Sequence, residues 1–212
     1  MTPTTGVEQR RKGEMKSLRL VVDPALTQLF FGILQIGFRV EACVGESVRT
    51  VLCGQLGLTP EYVSERISTI FLDGKPVDDI DAAIIREGST LALSSAMPGL
   101  VGATLRREGF LRSLRSAITY REEGQKCRER EALFSLKLFN LLMAELGPLF
   151  LERGIYVRST DLSDLFRHRA GRFIEGCREC LIDGQVVPPA TLSSIDWSAM
   201  DEWIHVAVCE SR

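Results

Sequence analysis

The run Ile67-Ser-Thr-Ile-Phe-Leu-Asp-Gly-Lys-Pro-Val, continued after an acidic crossover by Ser89-Thr-Leu-Ala-Leu-Ser-Ser-Ala-Met-Pro-Gly-Leu-Val-Gly, sets the expectation for the fold. Its first part is β-branched and aromatic and ends at Asp73-Gly74, a dipeptide suited to a tight turn. Its second part is an apolar strand that runs out into Gly99 and Gly102. Residues 67–72 and 90–96 are therefore expected to be strands.

Upstream, Leu18-Arg-Leu-Val-Val alternates until Asp23-Pro24 breaks it, and Phe38-Arg-Val-Glu-Ala-Cys-Val returns to strict alternation. Both read as strands with one buried face. Residues 25–37, apolar with Gly32 and Gly37 inserted, fit a hairpin connection or a short helix equally well. Gly45-Glu-Ser-Val opens a helix in which Val48, Val51, Leu52 and Leu56 form one stripe. Gly57 stops it, and Thr59-Pro60 starts another turn.

Strand, strand, helix, strand, crossover, strand is an order best satisfied by a helix laid across one face of a mixed sheet. Over residues 18–102 the chain resembles ubiquitin-like β-grasp proteins, nearest in pattern to the sulfur carriers of thiamine and molybdopterin biosynthesis. The carrying residues are Val44-Gly-Glu-Ser-Val, Phe71-Leu-Asp-Gly-Lys-Pro-Val and Arg86-Glu-Gly-Ser-Thr-Leu-Ala-Leu, with Gly99 to Gly102 where that family has its glycine tail. The resemblance implies a β-grasp fold and a carrier role for a terminal glycine whose free carboxylate is activated. Here the glycines are internal, so carrier chemistry would first require proteolysis after Gly99 or Gly102. The plainer reading is a flexible exit from the sheet.

Residues 103–128 change character. Arg106, Arg107, Arg112 and Arg115 lead a basic stretch in which Phe110, Leu114 and Ile118 recur at helical spacing. This reads as a basic connector: a docking segment for an acidic partner, a weak RNA or membrane contact, or a solvated linker whose apolar stripe packs on the neighbouring domain. Residues 129–153 are apolar over most of a helical circumference, the pattern of a buried helix or a subunit interface, with a break at Gly147-Pro148. A further helix starts at Ser159-Thr-Asp, and Leu162, Leu165, Phe166, Phe173, Ile174, Cys177, Cys180 and Leu181 continue its stripe. Cys180-Leu-Ile-Asp-Gly-Gln-Val-Val echoes Ile70-Phe-Leu-Asp-Gly-Lys-Pro-Val and reads as a second strand-turn, too short an echo to establish a repeat. Trp203-Ile-His-Val-Ala-Val-Cys fits a strand or a short helix.

The expected architecture is α+β: a disordered polar tail over 1–17, a ubiquitin-like β-grasp domain over 18–102, a basic connector over 103–128 and a mainly α-helical domain over 129–212. The polar tail has no apolar run behind Arg10, Arg11 and Lys12, and the six cysteines are scattered. Reduced thiols and a cytoplasmic location follow as expectations. A net charge of −2 gives no global reason to expect nucleic acid or an anionic membrane, and the longest apolar stretches are too short to span a bilayer.

Candidate chemistry is sparse. Cys177-Arg-Glu-Cys180 is a C-x-x-C that could hold a metal or form a redox pair, although no second ligand pair matches it. Both thiols also continue an apolar stripe, where cysteine behaves as a small core hydrophobe. His168 and His205 lie far apart, and neither a nucleophile elbow, a dinucleotide fingerprint nor a phosphate loop occurs. Asp78-Asp-Ile-Asp could bind a cation or simply solvate a loop. The expected function is a non-catalytic protein-interaction or adaptor module that uses its sheet face, takes no cofactor and binds a protein partner. The helix expected over 129–153 offers a route to a homo-oligomer. The alternatives are a processed carrier and a thiol or metal protein.

Overall fold

Alternation in the sequence decides which strand residues are buried. β1 (Ser17–Val22) buries Leu18, Leu20 and Val22, and β2 (Phe38–Val44) buries Phe38, Val40, Ala42 and Val44. β6 (Arg130–Phe139) buries Phe134, Leu136 and Leu138, and β10 (Trp203–Glu210) buries Ile204, Val206 and Val208. These strands join β3 (Thr69–Leu72), β4 (Lys75–Pro76), β5 (Thr90–Ser94), β7 (Ile155–Arg158), β8 (Cys177–Ile182) and β9 (Gln185–Val186). The computed structural model describes residues 16–95, 99–107, 109, 118–122 and 129–211. Among them, ten strands form one mixed sheet in the order β4-β3-β5-β6-β2-β7-β10-β1-β8-β9.

Helices pack on one face of this sheet. α1 (Pro24–Thr27), a 3-10 turn and α2 (Phe31–Ile36) bury Leu26, Phe30, Ile33 and Leu34. A π-helical stretch, Thr50–Gln55, and α3 (Pro60–Glu65) bury Val51, Leu52 and Val63. α4 (Gly99–Leu105) follows β5. α5 (Leu141–Arg153) buries Leu142, Leu146, Phe150 and Leu151, and α6 (Ser159–Gly176) buries Leu162, Phe166 and Phe173. These side chains and the inward strand residues form a single apolar cluster. Gly147 lets α5 approach α2, since a Cβ there would lie 2.8 Å from the Leu34 Cδ1 atom.

The sheet carries an internal repeat. Read inward from either edge, neighbouring strands pair antiparallel, antiparallel, parallel, antiparallel, and the halves meet where Arg39 of β2 faces Tyr156 of β7. Both edge hairpins turn on Asp-Gly with positive φ at both residues: 50° and 78° at Asp73 and Gly74, 50° and 76° at Asp183 and Gly184. Two positive φ values match the right-handed twist of the flanking strands. The aspartates act alike. The Asp73 N–H donates to the Thr90 carbonyl while its Oδ1 accepts from the Thr90 N–H. Asp183 makes the same two bonds with Ser17. The short echo around residues 70–77 and 180–187 thus marks equivalent edges of a pseudo-two-fold sheet.

A β-grasp domain followed by a mainly helical unit is not the architecture formed. Residues 130–139, expected as helix, are the strand β6, which enters between β2 and β5. β1 leaves β2 and pairs with β10 and β8 instead. The physical reason is visible in β6: one face buries Phe134, Leu136 and Leu138 and the other, with Leu133 and Phe139, is half covered, so the run looks apolar all round. The period-two signal of Ser135 and Lys137 is the informative one. The helix expected to continue through Cys177 and Cys180 stops at Gly176, where the Asp23 N–H bonds the Gly176 carbonyl and a Cβ would meet Leu26 at 2.6 Å. Residues 203–210 are a strand, and residues 24–36 are helical.

Candidate functional site

The face of the sheet opposite the helices carries the polar phase of every long strand. Thr90, Ser135, Arg39, Tyr156, His205 and Ser17 are successive cross-strand neighbours across it. In the adjoining row Arg158 faces Trp203. The Arg39 Cζ atom lies 3.9 Å from the centroid of the Trp203 ring, and that of Arg158 lies 5.1 Å away. Both are within cation–π range. Among the described residues neither guanidinium is ion-paired with a carboxylate. Their in-plane N–H groups therefore remain available to an acceptor outside the chain.

Beside this stack, Tyr156 meets His205 edge-on with ring centroids 5.1 Å apart. Gly154, at φ +96°, makes room for the imidazole: a Cβ there would sit 2.5 Å from Nε2. Burial pushes the His205 pKa below its ordinary 6.5, with Glu41 pulling weakly the other way. Burial, then Glu41, pushes the Tyr156 phenol upward. At neutral pH the centre of the open face thus presents two cations over an indole, flanked by a neutral imidazole, a neutral phenol and Glu41.

A groove of 410 Å³ opens on the same side of the sheet, lined by Phe71, Thr90, Ala92, Lys137, Phe139 and Asn140 among others. Sequence reasoning named neither this groove nor the Arg39–Trp203–Arg158 stack. The signal for the stack lies in the outward phase of β2, β7 and β10, where Arg39, Tyr156, Arg158 and Trp203 replace the small polar residues that suit a solvated face.

The residues singled out from sequence are dispersed. Gly99 begins α4 at φ +78°, and Gly102 lies inside that helix, buried. Arg106 is exposed, whereas Arg107 is buried, its N–H bonded to the Ser68 carbonyl and its Nη2 to the Val63 carbonyl. Arg107 therefore ties the segment after α4 to α3 and the start of β3. Arg112 and Arg115 lie outside the described residues. Cys177 and Cys180 stand on β8, both buried and both free thiols. Desolvation raises both pKa values, that of Cys180 to about 12, which favours unreactive protonated thiols. Among the described residues no three His, Cys, Asp or Glu side chains are grouped to hold a metal.

Asp79 caps the acidic crossover by accepting from the Asp81 and Ala82 N–H groups, and Asp81 pairs with Arg49. His168 contacts the Asp164 carbonyl at 2.8 Å on the exposed side of α6. Among the described residues no helix is long and apolar enough to cross a membrane. No family model matches the chain, and neither the curated proteins nor the solved structures contain a match to it.

Proposed function

We propose that the chain is a non-catalytic protein-interaction module and that its docking surface is the open face of the sheet, centred on Trp203. The partner is a polypeptide segment rich in carboxylates. The observation that carries this reading is the stack itself: two guanidinium groups held over one indole, neither in an ion pair with a carboxylate among the described residues. Stacking spends the π-face of each guanidinium and leaves its planar fork of donors, the geometry that suits bidentate carboxylate recognition. The sheet edges are poor alternatives, because β4 and β9 are only two residues long and offer little ladder to an added strand.

A fluorescein-labelled extended peptide alternating glutamate and leucine tests this by anisotropy titration against the full chain. Saturable binding is expected, weakened about tenfold or more in the double variant R39Q/R158Q and reduced by added salt. Equal binding of a lysine-for-glutamate counterpart, or binding indifferent to the double variant, contradicts the reading. Absence of binding does so too.

A further inference from the structure

We propose that the groove between β3, β5 and β6 is a separate small-molecule site for an amphipathic monocarboxylate of the fatty-acid class. Its volume, 410 Å³, falls in the range of ligand pockets rather than surface dimples. Phe71, Ala92 and Phe139 give it an apolar lining, and Lys137 is the single charged residue among those that line it. Lys137 has no ion-pair partner among the described residues. Its aliphatic stem passes over Gly37, whose Cβ position lies 3.2 Å from the lysine Cε, so a side chain at residue 37 would displace it. One ammonium above an apolar floor matches one carboxylate on a hydrocarbon chain. A dianion would leave charge unpaired in a partly desolvated place.

Two further features mark the groove as built. Asn140 holds φ 57° and ψ −133°, a backbone region that residues with a Cβ rarely enter and that persists only when its surroundings impose it. There its Nδ2 donates to the Ser94 hydroxyl at 2.8 Å, and both residues line the groove. Across the strand pair from Ser94 sits Thr69, 1% exposed, whose hydroxyl has no hydrogen-bond partner among the described residues. A buried hydroxyl left unsatisfied is costly, and its cross-strand partner Ser94 lines the groove.

The internal repeat supplies a comparison within the chain. The register that pairs Asp73 with Thr90 and Asp183 with Ser17 makes Ala92 and Lys137 the counterparts of Arg19 and Ala207. The second half thus carries a long side chain where the groove has a methyl group, and a methyl group where the groove has its ammonium.

Calorimetric titration of the full chain with decanoate, kept below its micelle-forming range, tests the site. One saturable event is expected. It weakens about tenfold in K137M and for 1-decanol in place of decanoate, survives in K137R, and is lost in A92F. Lys137 lies on the open face, so K137M decides the matter even where A92F disturbs folding. Binding that K137M leaves unchanged, or no saturable binding, overturns the proposal. The variant R39Q/R158Q is expected to bind decanoate normally, which separates this site from the proposed protein-docking surface.

Discussion

Gly154 and His205 show how single residues shape the open face. The Gly154→Ala variant adds a Cβ 2.5 Å from an imidazole nitrogen at a φ of +96°. A loss of roughly 2–3 kcal/mol is expected from the clash and the left-handed backbone together, read by urea denaturation. His205 also gives stability a pH dependence. Its folded pKa lies below 6.5, so under mildly acidic conditions the unfolded chain binds a proton that the folded chain does not. Its contribution is full above about pH 6.5 and is lost as pH falls through the lower folded value. Glu41 and Tyr156 face the ring and modulate the window without reversing its sign. Denaturation curves on either side of that window should differ more for the wild-type chain than for His205→Gln. At the thiols, Cys180 should resist alkylation in the folded protein while the partly exposed Cys43, Cys53 and Cys209 react first, as peptide mapping after brief iodoacetamide treatment would show.

At the scale of the element, β6 decides how the chain assembles. It holds the slot between β2 and β5 through Phe134, Leu136 and Leu138, and the Ser135 N–H bonds the Ser89 carbonyl at 2.8 Å. Phe134→Ala should cost about 3–5 kcal/mol, the usual loss for a fully buried phenylalanine. Ser135→Pro removes that ladder donor in a central strand and should abolish the cooperative transition seen by far-UV circular dichroism. The strands β1 and β2 were legible in the sequence because their alternation is clean and one face meets solvent. β6 was not, since its outward residues Leu133 and Phe139 are half buried and local helix propensity says nothing of partners as distant in the chain as β2 and β5. The C-x-x-C was misplaced for a related reason: an apolar stripe at helical spacing ran on past Gly176, where tertiary pairing with β1 took over.

Across the whole molecule, the two halves of the sheet borrow from each other. β1, from the start of the chain, lies between β10 and β8, and β6, from its middle, completes the sheet around β2 and β5. The sequence showed most of the strands and the Asp-Gly echo, but pairings this distant leave no local trace. Residues 1–102 and 129–212 produced separately should therefore each fail to show the dispersed amide spectrum of the full chain. The open face was legible only as the polar phase of alternating strands, and what makes it a candidate surface, Arg39 and Arg158 over the Trp203 ring, needed three strands to be brought together. Amide and indole chemical-shift mapping of the full chain during titration with the glutamate–leucine peptide tests the account most directly. Shifts should concentrate at Arg39, Tyr156, Arg158, Trp203 and His205, with α2, α5 and α6 unmoved. Shifts confined to the helical face, or none at saturating peptide, would contradict it.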